Sequence, residues 1–372
     1  MLYANANIFT PDGYLYGGFR VENGIFAEIL PGLARGDVDL GGAKVIPGLV
    51  DIHTHGAVGA DFSDCDPEGL RRMAGYLAAH GITSFAPASM TLPYETLRAA
   101  FQTGKLIHDE RPEGCARLAG IHMEGPFFSE KKKGAQNAAY LRNPDFEAFQ
   151  RLYESCGGLI RIVDLAPELS GAAEFAARAR ELCTVSVAHT DADYDQAVAV
   201  FDAGASHLTH LFNAMPPIHH RAPGVIGAAS ERDNVTAELI CDGEHVHPSA
   251  VRMAFRLFPG RICLISDSLR CCGMPDGEYE LGGQRVYLKD HVARLQDGTI
   301  AGSAANLYDC MLNAIRFGIP EAEAIRAATI VPAREIGADE WIGSIKAGKA
   351  ADFVVCGEGL ERKQVWLCGQ AV

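Results

Sequence analysis

Two histidines stand one residue apart directly after an apolar run, in the segment VIPGLVDIHTHG at residues 45–56. Alternate side chains of an extended chain point to the same side, so His53 and His55 can bind one object together at the end of a strand. Imidazole nitrogens are common ligands of zinc and iron. The pair therefore suggests a metal ion at this strand end.

Other histidines and carboxylates follow further apolar runs of the chain. They are Glu124 in GIHMEGP, His189 in VSVAHTD, His210 in HLTHLFNAMPP, His245 in CDGEHVH and Asp267 in CLISDS. One such residue is usually an ordinary hydrogen-bonded polar side chain, but the repetition of the pattern predicts a shared metal site. Imidazoles combined with carboxylates suit zinc or iron(II), and a catalytic site of this kind keeps one position open for water.

Asp267 is the predicted proton shuttle of this site. Its ordinary pKa of about 4 lies far below the value of about 15.7 for bulk water, so full proton transfer costs roughly 16 kcal/mol. A metal that brings the pKa of water to about 7 reduces the cost to roughly 4 kcal/mol. An aspartate is thus a sensible base only beside a metal. The alternative is that Asp267 caps the helix that follows it.

The elements that must position these residues form an alternating series of apolar runs and helix-patterned stretches, which predicts βα units around a parallel sheet. The predicted strands are Leu49 to His53, Ile82 to Pro87, Leu118 to Met123, Ile160 to Leu165, Val185 to His189, His207 to Leu211, Thr236 to Ile240 and Ile262 to Ser266. Eight units predict an α/β protein with a (β/α)8 TIM barrel, whose chemistry collects at the carboxyl ends of the strands.

The two ends of the chain have a different pattern. Residues 1–46 and 339–372 are strand-like and interrupted by glycine, as in VENG and GSIKAGKAADFVV. Two such segments on either side of a barrel predict one small discontinuous β-sandwich-like domain, with residues 47–338 forming the barrel. A β-rich stretch at about 276–300 predicts a β-hairpin insertion.

Composition excludes several classes of partner. The formal net charge of −14 argues against nucleic acid, because a phosphate backbone requires a basic surface. No apolar run approaches the roughly 18 residues of a membrane span. The 11 cysteines contain no CxxC pair, which is typical of reduced thiols. We expect a cytoplasmic protein without a membrane partner.

The segments VIPGLVDIHTHG, HMEGPF, VAHTDA, THLFNAMPP and LISDS resemble the amidohydrolase superfamily and, within it, the N-acetylglucosamine-6-phosphate deacetylase family. The HTH motif and the C-terminal stretch are generic to the superfamily. The segment THLFNAMPPIHHRAPGVIGA, preceded by MEGPF, is more specific. The resemblance implies metal-dependent hydrolysis of the acetamide of N-acetylglucosamine 6-phosphate to glucosamine 6-phosphate and acetate.

The resemblance also implies a ligand set. The residues that match the family's principal metal ligands are Glu124, His189 and His210. A second metal would involve His53, His55, Glu124 and Asp267. One or two divalent ions per subunit, zinc or iron, are therefore expected.

By the same matching, the phosphorylated amino sugar would contact Asn213, the backbone at Ala214, Arg221 and His245. Arginine offers phosphate a bidentate fork, although Arg221 could instead be a solvated loop cation. Gln136 occupies a position where some members carry a substrate-contacting histidine, and its amide could bind a sugar hydroxyl. Family members commonly form dimers, so we expect a homodimer.

Three other readings remain open at this point. The substrate could be the galactosamine epimer, N-acetylgalactosamine 6-phosphate, or the amide of another amidohydrolase substrate, because a barrel alone does not define a reaction. A catalytically inactive sugar-phosphate sensor is the remaining alternative. It is disfavoured because the chain retains Glu124, His189, His210 and Asp267.

Overall fold

The computed structural model describes residues 1–372. In chain order its strands are β1 Leu2–Thr10, β2 Gly13–Glu22, β3 Ile25–Pro31, β4 Val38–Pro47, β5 Leu49–Thr54, β6 Gly56–Ala57, β7 Ala60–Asp61, β8 Ile82–Pro87, β9 Arg117–Leu118, β10 Ile121–Phe127, β11 Ile160–Leu165, β12 Thr184–Val187, β13 His207–Leu208, β14 Thr236–Ile240, β15 Ile262–Ile265, β16 Gly277–Leu281, β17 Gln284–Lys289, β18 Val292–Leu295, β19 Phe353–Cys356, β20 Arg362–Leu367 and β21 Gln370–Ala371. Its α-helices are α1 Pro67–Ala79, α2 Tyr94–Glu110, α3 Phe146–Ser155, α4 Ala172–Ala179, α5 Tyr194–Ala203, α6 Gly224–Ser230, α7 Pro248–Leu257, α8 Leu307–Arg316, α9 Glu321–Ala327 and α10 Ile330–Glu335.

The central part of the chain forms the predicted barrel. Parallel pairing connects β5 to β8 and β9, and connects β10 through β11, β12, β13 and β14 to β15. A parallel bridge between Ala88 and His122 joins the two sheets. The barrel closes where the amide of Asp267 donates to the carbonyl of His53 at 2.9 Å. The TIM-barrel prediction is confirmed.

The barrel strands are recognisable in sequence because both of their faces are buried, so they read as continuous apolar runs. Every residue of β5, β8 and β14 is buried, for example. The helix α6, by contrast, has no clear signal in the sequence. Five of its seven residues are buried, which removes the alternation of apolar and polar residues that marks a surface helix.

The terminal segments form one mixed sheet of seven strands in the order β21-β20-β19-β4-β1-β2-β3. The sheet is strongly curved, so that its edge strand β3 approaches the start of β19. Ile25 in β3 makes an antiparallel bridge to Ala350 just before β19. Aromatic rings fill the space that it encloses. They belong to Tyr3, Phe19, Phe26, Phe353 and Trp366.

The insertion after the eighth barrel strand differs from the prediction. It is a three-stranded antiparallel sheet of β16, β17 and β18, not a hairpin. Both turns place two consecutive residues at positive φ, Gly282 and Gly283 in the first and Asp290 and His291 in the second. Gly-Gly is a familiar signal for such a turn but Asp-His is not, so the sequence did not predict the third strand.

No helix of the chain is both long enough and apolar enough to cross a membrane.

Candidate active site

The barrel brings the six predicted metal ligands together at the carboxyl ends of its strands. His53 lies in β5 with His55 directly after it, Glu124 lies in β10, and the other three residues each follow a strand by two positions: His189 after β12, His210 after β13 and Asp267 after β15. All six side chains are buried. Residues that are more than 200 positions apart in sequence thus converge because parallel strands of a barrel end at one rim.

Glu124, His189 and His210 form the first ligand group. The carboxylate Oε1 of Glu124 lies 3.1 Å from Nε2 of His189 and 3.4 Å from Nε2 of His210, and these two nitrogens are 3.1 Å apart. Each imidazole can donate from Nδ1 to a backbone carbonyl, of Lys132 at 2.9 Å and of Asn213 at 3.2 Å. That tautomer leaves both Nε2 lone pairs facing each other, an arrangement that a cation stabilises.

His53, His55 and Asp267 form the second group, which shares Glu124 with the first. Nε2 of His55 lies 3.4 Å from Oε2 of Glu124 and 3.3 Å from Oδ1 of Asp267. Nε2 of His53 is buried without a hydrogen-bond partner and lies 3.6 Å from Glu124 and 3.7 Å from Asp267. An orphaned buried nitrogen is costly unless a ligand occupies the space in front of it. The residues fit a divalent metal ion.

The charges of the site agree with this fit. Burial by itself opposes ionisation of Glu124, but the imidazoles of His189 and His210 hold the pKa of its carboxyl well below the ordinary value. Burial opposes ionisation of Asp267 as well, yet positive charge at His55 and His53, which a bound cation would replace, lowers the pKa of its carboxyl. Both carboxylates are anionic ligands in a buried pocket, where a cation balances them.

Several residues of the site share an unusual backbone conformation. His189, His210, Ala214 and Asp267 have φ angles of 43°, 32°, 52° and 47°. Positive φ costs a residue other than glycine about 1 to 3 kcal/mol, and such residues cluster at functional sites. Three of the six predicted ligands share this conformation, which aims their side chains from the strand ends into the centre of the barrel mouth.

A cavity of about 340 Å³ opens above the two ligand groups. Most of the predicted site residues line it, namely His55, Glu124, Gln136, His189, His210, Asn213, Ala214, His245 and Asp267. Apolar residues complete the lining, among them Met90, Leu269, Leu281 and Ile300. Leu281 is the last residue of β16, so the insertion forms part of the cavity wall.

Gln136 lies in the site in a role that the sequence did not predict. Its Nε2 donates to Oε2 of Glu124 at 2.7 Å, and its Oε1 accepts from the amide of Thr91 at 2.7 Å. Both ends of the amide are therefore bonded within the protein. The structure ties Gln136 to the orientation of Glu124, and because Gln136 also lines the cavity, its expected contact with a sugar stays a prediction.

Among the predicted contacts of the sugar phosphate, Arg221 is the one that does not line the cavity. It is exposed, and its Nη1 lies 2.8 Å from Nε2 of His220, its neighbour in the chain. His245, in contrast, faces the cavity and is held from behind by Asp242, whose Oδ2 lies 2.7 Å from its Nδ1.

The sequence was compared with those of known proteins. A sequence model of the amidohydrolase family matches residues 44–372. The chain belongs to the amidohydrolase family. It is 39% identical over 323 residues to the N-acetylglucosamine-6-phosphate deacetylase of Bacillus subtilis (strain 168), covering 85% of this chain and 81% of that protein. It is 34% identical over 371 residues to the N-acetylgalactosamine-6-phosphate deacetylase of Escherichia coli O157:H7, covering 98% of this chain and 97% of that protein.

Solved structures of such deacetylases have the same fold as this chain. A mutant N-acetyl-D-glucosamine-6-phosphate deacetylase from Mycobacterium smegmatis, in complex with N-acetyl-D-glucosamine-6-phosphate, superimposes with a TM-score of 0.93 at 34% identity and covers 100% of this chain and 98% of that one. The N-acetylglucosamine-6-phosphate deacetylase from Thermotoga maritima has a TM-score of 0.90 at 29% identity, with coverage of 100% and 99%. This amidohydrolase therefore shares its entire fold with these enzymes.

A second layer of buried polar residues, absent from the sequence predictions, lies beneath the ligands of this amidohydrolase. His122, Asp164, His207 and Glu238 are fully buried inside the barrel. His122 bonds Asp164 at 2.8 Å, and His207 lies 3.2 Å from Glu238. The available signal was a charged residue within a strand of apolar residues, as in TAELI for Glu238 and IRIVDL for Asp164.

Proposed function

We propose that the chain hydrolyses the acetamide of N-acetylglucosamine 6-phosphate to glucosamine 6-phosphate and acetate. The observation that carries the proposal is the convergence of two metal-suited ligand groups and Asp267 at the floor of a cavity of about 340 Å³. The relatives named above, which share the fold and are deacetylases of phosphorylated amino sugars, support the choice of substrate class.

The first ligand group, Glu124, His189 and His210, would hold the principal metal ion, and His53, His55, Glu124 and Asp267 would hold a second. Zinc or iron(II) suits this donor set of imidazoles and carboxylates. A divalent ion supplies Lewis-acid polarisation of the amide carbonyl and lowers the pKa of water. One or two ions per subunit are proposed.

Asp267 moves the proton in this reaction. Its carboxylate is ionised and borders the cavity, so it can take a proton from the water that attacks the amide carbon. The C–N bond then breaks, and Asp267 gives the same proton to the leaving amine. The second proton of the water passes from the new carboxylic acid to the amine, so one water and one amide become acetate and a protonated amine. Asp267 returns to its ionised form.

The sugar phosphate is held by other residues of the same cavity. His245, Asn213 and the backbone at Ala214 line it. Arg221 belongs to an exposed loop next to Ile218, which is 43% exposed. We propose a homodimer in which this loop lies at the interface and Arg221 contributes to the phosphate site.

N-acetylgalactosamine 6-phosphate is the second candidate substrate. The observation in its favour is the likeness to a deacetylase of that epimer over 98% of this chain. The two sugars differ in the orientation of one hydroxyl group. A single hydrogen bond inside the cavity can therefore decide between them.

The experiment that tests the proposal measures free amine released from each epimer by purified protein, with zinc, with iron(II) and with a chelator. Unphosphorylated N-acetylglucosamine serves as the matched control for phosphate recognition. Metal-dependent release from N-acetylglucosamine 6-phosphate is the expected result. Release confined to the galactosamine epimer would replace the proposed substrate, and no release with any metal would refute amino-sugar deacetylation.

A further inference from the structure

Glu238, in the middle of β14, contacts both ligand groups from below. Its Oε2 lies 2.9 Å from Nδ1 of His53 and accepts a hydrogen bond from the amide of His210 at 3.1 Å. The side chain has no exposed surface. One carboxylate oxygen therefore joins a ligand of the second group to the strand end that carries a ligand of the first.

This contact determines what His53 offers to a metal. With Nδ1 donating to Glu238, the proton of a neutral imidazole is placed on Nδ1 and the lone pair on Nε2. Nε2 is the nitrogen that lies between Glu124 and Asp267 without a hydrogen-bond partner. Glu238 thus selects the tautomer of His53 that can bind a cation and fixes the direction of its ring.

The structure also supplies the charge that such a buried carboxylate requires. His207 lies between two carboxylates, 3.2 Å from Oε1 of Glu238 and 3.1 Å from Oε2 of Glu335. Burial alone would lower the pKa of His207, but the two carboxylates raise it to about 10. A protonated His207 therefore balances Glu238 without taking its Oε2 away from His53.

We infer that Glu238 is a positioning residue that determines whether the His53 and His55 position binds a metal ion, and that it couples this position to the one formed by Glu124, His189 and His210. The inference rests on the proposed metal-dependent function and concerns how many ions the site holds. Outer-shell partners of metal-bound histidines typically change metal affinity by about 10- to 100-fold.

Asp164 provides a matched control inside the same barrel. It is equally buried and accepts hydrogen bonds from His122 at 2.8 Å and Thr209 at 3.1 Å. Neither partner is a predicted ligand. Glu238→Gln and Asp164→Asn therefore make the same chemical change in the same environment, but Glu238 alone of the two holds a ligand.

The experiment dialyses wild type, Glu238→Gln and Asp164→Asn against a series of zinc concentrations and measures bound zinc by mass spectrometry. Two equivalents are expected for wild type and for Asp164→Asn. Glu238→Gln should lose the weaker equivalent or bind it 10- to 100-fold less tightly. Glu238→Asp keeps the charge but shortens the side chain, and the same measurement on it tests the inference if Glu238→Gln does not fold. This variant should also bind the weaker zinc equivalent less tightly.

Three results would overturn the inference. They are unchanged zinc binding by both Glu238 variants, an equal loss in Asp164→Asn, and a wild type that binds a single equivalent. None of these depends on turnover. The inference would therefore survive a wild type that binds two zinc ions but releases no amine, whereas that outcome would refute the proposed function.

Discussion

The barrel and the terminal sheet fill their interiors with different kinds of side chain. Below the active site the barrel buries ionisable residues, which are His122, Asp164, His207 and Glu238. The terminal sheet instead packs aromatic rings with centroids about 5 to 6 Å apart, for example 5.0 Å between Tyr3 and Phe19. Aromatic pairs contribute about 0.5 to 1.5 kcal/mol beyond the area that they bury.

Buried ionic groups are weak contributors to stability, because desolvation can exceed the attraction between the partners. The barrel pays this cost directly beneath its ligands, where Glu238 holds His53 and His122 bonds Asp164. The barrel interior therefore positions the site, while the terminal sheet stabilises the fold. Substitutions in the two regions should affect turnover and stability differently.

Asp267→Asn should lower turnover strongly and change stability very little. Loss of a general acid–base group lowers turnover by about 10²- to 10⁴-fold. Asparagine has nearly the same shape, so the midpoint of thermal unfolding should change little and the zinc equivalent bound by Glu124, His189 and His210 should remain. Steady-state amine release and metal analysis measure the two effects. Near-normal turnover would contradict the assigned role.

Phe353→Ala should have the opposite effect, lowering stability strongly and leaving turnover unchanged. Phe353 is fully buried in the terminal sheet and stacks on Trp366 at 5.5 Å. Truncating a buried phenylalanine costs about 3 to 5 kcal/mol of unfolding free energy. Urea denaturation measures this loss, and the turnover of the remaining folded protein should be unchanged. Phe353→Leu, which leaves a smaller cavity, is the control and should lose less stability. A loss of turnover without a loss of stability would contradict a purely stabilising role of the terminal sheet.

Removal of metal should destabilise the barrel. An ion bound to the native state alone stabilises it by about 2.7 kcal/mol when its free concentration is 100 times Kd. Glu124 and Asp267 would then lose the cation that balances their charges. Calorimetry with and without chelator measures the shift in the midpoint of unfolding, which added zinc should reverse. An identical midpoint under both conditions would argue against a metal at this site.

The smallest predicted effect is a pH dependence of substrate binding through His245. Burial lowers the pKa of His245, but the hydrogen bond and charge of Asp242 outweigh it and raise the pKa above the ordinary value. A protonated imidazole attracts phosphate, so binding should weaken as pH rises through this raised pKa. We expect KM to increase several-fold while kcat changes less.

Asp242→Asn provides the check on this sign. Without the carboxylate the pKa of His245 falls, so the rise in KM should begin at a lower pH than in wild type. A KM profile that is the same in both proteins would exclude His245 as the titrating group.

The strand-end pattern in the sequence predicted which residues converge at the rim of the barrel. Each of His53, Glu124, His189, His210 and Asp267 lies within or just after an apolar run, and the barrel rule brings such ends to one rim. The hydrogen bond from Gln136 to Glu124 was not predictable in the same way. Gln136 lies in a loop and Glu124 in a strand, and the bond forms only in one rotamer of the glutamine side chain. Arg221 was predicted from a motif, which carries no information on the direction of its loop.

The barrel, the strand ends with their predicted ligands and the family are all evident in the sequence, because burial of both faces and the repeated strand-end histidines are local patterns. The contact of Glu238 with His53, the hydrogen bond from Gln136 to Glu124 and the third strand of the insertion appear only in the folded chain. The physical reason is that hydrogen bonds between distant segments depend on distances of a few tenths of an ångström. Such distances exist only after the whole barrel has closed.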